Sequence, residues 1–128
     1  MTLQTIRKRA DFLAANGGLR VAKPGFVLLA RPNGAAAIRF GITVTKKIGN
    51  AVVRNRMKRR FRELLRAALP HAGLTGHDHV LIGREGGVER DFTALRAELD
   101  DALARAAAGR GDPRRGRGQN KQRNGKRA

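Results

Sequence analysis

The spacing of apolar residues changes along the chain, and each change marks an element. Asp11, Phe12, Leu13, Ala14 and Ala15 predict a short helix ended by Asn16-Gly17-Gly18, where asparagine and glycine accept the positive φ of a helix C-terminus. Val21 opens a brief strand, and Lys23-Pro24-Gly25 turns the chain into a second one, Phe26-Val27-Leu28-Leu29-Ala30. Arg31-Pro32-Asn33-Gly34 has the composition of a turn. In a third strand Phe40, Ile42 and Val44 alternate with Arg39, Gly41, Thr43 and Thr45, so only one of its faces has to be apolar.

After a start at Gly49-Asn50 the period lengthens. Val53, Met57, Phe61, Leu64, Leu65 and Ala68 recur as one face of a helix, and Pro70 is expected just past its end. At about 100° per residue, Asn55, Arg59, Arg62 and Arg66 fall on the opposite stripe, flanked by Arg56 and Arg60 on one side and by Arg54 and Lys58 on the other. The helix therefore has a core face and three basic sides. His79-Val80-Leu81-Ile82-Gly83 predicts a buried strand. Phe92, Leu95, Leu99 and Leu103, with Ala102 and Ala106, mark a last amphipathic helix beginning near Asp91. The expected order is αβββαβα, an α+β domain over residues 1–108. From Gly109 onward, Gly, Arg, Lys, Gln and Asn offer too little apolar surface to offset ordering, so 109–128 is expected to be a disordered basic tail.

Charge sharpens this picture. Of the net +18, the stretch from Lys46 to Arg66 contributes +8, with nine bases and the single acid Glu63, whereas Ala67 to Ala108 is net −3. A solvated helix face normally mixes signs at i and i+4; so much like charge on one short element is expected where a polyanion supplies the counter-charge. The partner is expected to be nucleic acid. The 128 residues suffice for one domain with a modest core. Without cysteine, the fold has neither disulfides nor thiolate metal sites, and thiol chemistry is excluded. Met1 to Arg9 has no apolar signal region, and no apolar run approaches the roughly 18 residues of a membrane span, so a cytoplasmic location with no membrane partner is expected.

Catalytic chemistry is hard to find. His77-Asp78-His79 is read as a loop at the start of a strand rather than as a metal site, and His71 is not at a helical spacing from it. No Ser, His and Asp set or paired-carboxylate arrangement stands out, so no catalytic residues and no bound metal are expected in the polypeptide. Arg110-Gly111-Asp112 matches an adhesion tripeptide, and without secretion signals the match is read as chance.

The stretch from Phe40 to Glu63 resembles the signature of the bacterial ribonuclease P protein subunit. It carries the alternating strand, then Lys46-Lys47-Ile48-Gly49-Asn50, then Arg54-Asn55-Arg56-Met57-Lys58-Arg59-Arg60-Phe61-Arg62 on the following helix. The likeness extends less strictly to Arg7-Lys8-Arg9-Ala10-Asp11-Phe12 and to the strands of Phe26 and Val80, covering about residues 6–105.

The resemblance implies an α/β sandwich similar to the second domain of ribosomal protein S5, its basic helix lying in a left-handed crossover between parallel strands. About 98% of such crossovers are right-handed, so this hand follows from the resemblance alone. It also implies a division of labour in which a large RNA with bound Mg2+ cleaves precursor tRNA to its mature 5′ end while the protein assists. Lys46, Lys47, Arg54, Asn55, Arg56, Lys58, Arg59, Arg60 and Arg62 would contact RNA. Phe12, Phe26, Thr43 and Thr45 would sit in or near a cleft for the single-stranded 5′ leader. Relatives often carry a second aromatic one turn beyond Phe12, where this chain has Asn16, and another late in the second strand, where it has Leu29-Ala30.

A general structural RNA-binding protein of the ribosomal type is the alternative, sharing the basic surface without preferring precursor over mature tRNA. A DNA-binding module fits less well, because strands flank the basic helix where a helix-turn-helix needs a short turn and a partner helix, and no DNA partner is expected. A self-sufficient protein nuclease fits least.

Overall fold

A five-stranded sheet organises residues 3–112, the part of the chain that the computed structural model describes. In chain order the elements are β1 (Leu3–Thr5), α1 (Arg9–Ala15), β2 (Leu19–Ala22), β3 (Phe26–Pro32), β4 (Ile38–Thr43), α2 (Ala51–Ala72), β5 (His77–Gly83) and α3 (Phe92–Ala107), with 3-10 turns at Lys46–Ile48 and Glu85–Gly87. The strands lie in the order β1-β4-β5-β3-β2. β4 runs parallel to both β1 and β5, and β3 is antiparallel to β5 and β2, so α2 is the crossover between two neighbouring parallel strands.

The alternation in β4 decides which side of the sheet is covered. Ile38 and Phe40 point into the larger core with Leu28, Leu81, Met57, Phe61, Leu64, Leu65, Leu95, Leu99 and Leu103, beneath α2 and α3. The Phe26 and Phe61 rings meet there edge to face, centroids 6.0 Å apart. On the other side α1 covers a smaller cluster of Ile6, Ala15, Val27, Leu29 and Val80, with Phe12 packed against it. Because helices lie on both faces of β3, every residue from Phe26 to Ala30 is buried.

The helix starts follow from their caps. The Asn50 side chain accepts the Val53 N–H (3.0 Å) at the head of α2, and Asp91 accepts that of Ala94 (3.2 Å) at the head of α3. α2 does not stop before Pro70, however; it continues to Ala72, closed by the Gly73 N–H bonding the Leu69 carbonyl (2.9 Å). Leu69 is fully buried and holds the last turn down, while Pro70 is exposed and forfeits only one local hydrogen bond.

Three further expectations change. β1 precedes the predicted elements, pairing Leu3 with Ile38 and Thr5 with Phe40; three residues are too few to show a period. His77-Asp78-His79 belongs to β5 rather than to a loop, and Asp78 and His79 are buried with polar partners. Residues 109–112 are not the beginning of a detached tail. The Asp112 N–H donates to the Arg20 carbonyl (2.6 Å) and its carboxylate accepts the Ala22 N–H (2.7 Å), which joins them to the outer edge of β2. The rest of the expected disordered tail, 113–128, lies outside the described residues.

Candidate nucleic-acid interface

The buried stripe of α2 consists of Met57, Phe61, Leu64, Leu65, Ala68 and Leu69, which fixes what the other sides present. Asn55, Arg56, Arg59, Arg62 and Arg66 are exposed, and Arg54, Lys58 and Arg60 are half-buried along the flanks. Lys46 and Lys47 extend this surface from the 3-10 turn that precedes α2, both exposed. Salt bridges elsewhere engage Lys23, Arg39, Arg90, Arg96 and Arg105. Among the described residues none engages a base of α2 or of the turn before it. The basic surface therefore carries one acid, Glu63, against nine bases, and none of those bases is held in an ion pair among the described residues.

Two of its arginines also serve the fold. The Arg54 Nε–H donates to the Gly49 carbonyl (3.2 Å), tying the helix to the turn before it. Arg60 points toward α3: its guanidinium donates to the carbonyls of Gly87 and Val88 (both 3.4 Å) and of Arg90. The Arg90 side chain in turn pairs with Glu98, so Arg60 anchors the segment leading into α3. The resemblance counts Arg60 among the RNA-contacting bases and helical spacing puts it on a flank; its direction is set by a loop 27 to 30 residues away that spacing does not reveal.

A second surface lies on the α1 side of the sheet. Strand register aligns Thr43, Ile82, Val27 and Ala22 in one row, which crosses three interstrand gaps and so spans about 14 Å. Thr43, Ile82 and Ala22 are half-buried, and Phe12 of α1 borders the row, also half-buried. Thr45 is exposed two residues beyond β4, at the start of the turn that carries Lys46 and Lys47. Phe26 is not part of this surface. Its ring is fully buried on the opposite face, against Phe61. Periodicity does not single out Ile82, Val27 and Ala22, which line the row, because it shows the pleat of a strand but not which strands adjoin.

Polar groups hold α1 in place beside this face. Arg39 makes a bidentate pair with Asp78 (2.6 and 2.7 Å) and approaches Asp11 of α1 (3.5 Å), while the Asn33 amide donates to Asp78 (3.1 Å). Burial would raise the Asp78 pKa, but the hydrogen bonds from Arg39 and Asn33 outweigh it and hold the carboxyl below its ordinary range. On the other face, the Leu74 N–H can only donate, so His79 Nε2 accepts it (3.0 Å) and Nδ1 carries the proton donated to the Arg39 carbonyl (3.0 Å). Among the described residues no three His, Asp or Glu side chains are grouped to hold a metal ion, and no helix is long and apolar enough to cross a membrane.

The ribonuclease P family model matches residues 2–107. The ribonuclease P protein component of Erythrobacter litoralis is 75% identical over 112 residues, covering 88% of this chain and 93% of the relative. That of Gluconacetobacter diazotrophicus is 49% identical over 104 residues, covering 79% and 89%. Among solved structures, the ribonuclease P protein of Thermotoga maritima superposes with a TM-score of 0.70 at 35% identity, covering 79% of this chain and 96% of the other. The Staphylococcus aureus protein gives 0.69 at 33%, covering 80% and 94%. Identity of this height across nearly all of the described fold, with a family match over the same span, makes this chain a member of the ribonuclease P protein family.

Proposed function

We propose that the chain is the protein subunit of ribonuclease P, docking on the catalytic RNA through α2 and receiving the 5′ leader of precursor tRNA on the open row of the sheet. The observation that carries this reading is the basic surface without ion pairs: arginines on three sides of one helix that carries the single acid Glu63, with none of these bases in a salt bridge among the described residues. Guanidinium groups pair bidentately with phosphate oxygens and stay charged, so such a helix binds a folded RNA by shape and charge without reading bases.

The row from Thr43 to Ala22 suits a single strand. It offers a partly accessible aromatic, Phe12, for base contact, and Lys46 and Lys47 near one end for the backbone. A leader held there distinguishes precursor from mature tRNA. In this reading the hydrolysis and the Mg2+ it needs belong to the RNA, and the polypeptide binds and orients. The test is cleavage of a leader-bearing precursor tRNA by the catalytic RNA at low magnesium, with and without the purified protein. A gain in cleavage, together with tighter binding of precursor than of mature tRNA, is expected. No gain over RNA alone overturns the proposal, and a gain without that preference leaves a general RNA-binding protein.

A further inference from the structure

α1 has two flanks on the sheet, and the open row occupies only one of them. Phe12 rests on Gly41, and Thr43 lies one pleat to one side along β4. Arg39 lies one pleat to the other side, about 13 Å from Thr43 at about 3.3 Å per residue, in a row with Gln4, Asp78 and Arg31. At the β1 end of that row opens a pocket of about 490 Å³, walled by β1 and by Arg7, Lys8, Asp11 and Arg39. Its volume falls within the roughly 300–1,000 Å³ of small-ligand sites.

The charge on this wall is one-sided. Arg7 and Lys8 are exposed and enter no salt bridge among the described residues. Asp78 takes Nε and Nη2 of Arg39, while Nη1 faces Asp11 at 3.5 Å, beyond the roughly 2.7–2.9 Å of a close charged hydrogen bond. That nitrogen can therefore meet a further oxygen. Even with the buried Asp78 counted, cations outnumber acids here by three to two. Arg7, Lys8 and Nη1 share one opening, and a tetrahedral oxyanion has oxygens enough to accept from all three.

The surroundings identify the oxyanion. α2 packs against β4 and β1, and α3 against β2 and β3. Arg60 points toward α3; Lys58 and Arg62 lie about 160° around the helix from it, at about 100° per residue, and so flank the β1 side. β1 is the edge of the sheet, so a single strand separates these bases of α2 from the pocket on the opposite face. An RNA docked on α2 reaches the pocket around that edge. A leader on the row of Thr43 has α1 in its way.

We propose that the pocket is a second phosphate site for the catalytic RNA: a strand of the RNA docked on α2 passes around the β1 edge and seats one phosphodiester against Arg7, Lys8 and Nη1 of Arg39. This rests on the docking of α2 described under the proposed function.

The experiment measures binding of the full chain to the catalytic RNA across salt concentrations, for the native sequence and for the double variant Arg7→Gln, Lys8→Gln. One phosphate contributes a salt slope of about 0.7–0.9 and, at about 0.15 M salt, about four- to sixfold in affinity. The double variant should lose that much and no more, because its two bases grip a single phosphate. The assembled holoenzyme should keep its ratio of precursor to mature tRNA affinity. A photo-crosslinker at position 4, on the pocket wall of an otherwise unaltered chain, should label the catalytic RNA. A slope lower by about 1.4–1.8 would mean two separate surface contacts and overturns the pocket. A reduced preference for precursor, or crosslinks to the leader alone, gives the site to the substrate and overturns the inference too. An unaltered chain that does not bind the catalytic RNA overturns the underlying reading as well. One that binds it, with the double variant indistinguishable in slope and affinity, overturns this inference alone, even where inorganic phosphate binds the free chain.

Discussion

The ring of Phe12 occupies the space that a side chain at Gly41 would need: a Cβ there would lie 2.5 Å from Cε1 and 2.6 Å from Cζ. The glycine in β4 is therefore no strand breaker. It lets the aromatic of α1 lie directly on the sheet, at the border of the row of Thr43, Ile82, Val27 and Ala22. The glycine sets how closely this part of α1 can approach β4.

If that ring touches a leader base, both partners report it. Phe12→Ala removes the surface and Gly41→Val displaces it, and each should narrow the gap between precursor and mature tRNA affinity. Stacking on an aromatic contributes about 1–3 kcal/mol per base, and a half-buried ring belongs at the low end, about fivefold in affinity. Titration of the holoenzyme with the two tRNA forms measures the ratio. If both variants keep it, Phe12 is a packing residue only.

The arginines of α2 divide into two classes that different measurements separate. Neutralising Arg59 and Arg62, both exposed, should lower the salt dependence of catalytic-RNA binding by roughly one to two units of log K per log salt, if each meets one phosphate. Arg60→Gln should instead leave that slope nearly intact and lower the urea midpoint. Its guanidinium serves the carbonyls of Gly87, Val88 and Arg90, and losing them should cost about 1–3 kcal/mol. A slope change for Arg60→Gln as large as for the double variant would return Arg60 to the RNA surface.

What the sequence made legible follows from how far each pattern reaches. The stripe Met57, Phe61, Leu64, Leu65 and Ala68 set the direction of α2, and its opposite stripe of Asn55, Arg59 and Arg62 is exposed as periodicity requires. Alternation in β4 likewise set Phe40 against Thr43. The resemblance puts Phe26 in or near the cleft, and the strand's own pattern offers no check on it, because all of Phe26 to Ala30 is apolar; a strand covered on both faces does not declare which side any residue faces. Pro70 reads as a terminator by local rules, and the burial of Leu69 overrides them. The attachment of Asp112 to β2 was hidden by composition, since one carboxylate in a basic stretch shows its partners only once β2 is in place.

The pair of Arg39 and Asp78 is the main polar link between α1 and the centre of the sheet. Asp78→Asn keeps the shape but leaves Arg39 without its bidentate partner. The cost should be about 2 kcal/mol, below the 3–5 of a fully buried pair, because about a quarter of the Arg39 side chain is exposed. Hydrogen exchange should rise first in α1, which Arg39 also reaches through Asp11. Protection lost evenly over the whole domain would show that the pair does not hold α1 in particular.

His79 gives the domain a pH dependence whose sign is fixed by its bonds. Burial lowers its pKa below the ordinary 6.5, outweighing the bond to the Arg39 carbonyl, which acts the other way. A proton on Nε2 would face the Leu74 N–H that this nitrogen now accepts. Above about pH 6.5 the ring is neutral in both folded and unfolded chains, and its contribution is complete. As pH falls below 6.5 the unfolded chain takes up a proton that the folded one refuses, so stability declines until the folded pKa is reached, by at most about 1.4 kcal/mol per pH unit. Asp78 adds its own loss only near and below pH 4, since its folded pKa is also depressed. Urea midpoints measured from pH 7.5 to 5 should therefore fall for the native chain and stay nearly level for His79→Gln, whose amide oxygen can accept from Leu74 without titrating. Parallel curves for the two would place the acid sensitivity elsewhere in the fold.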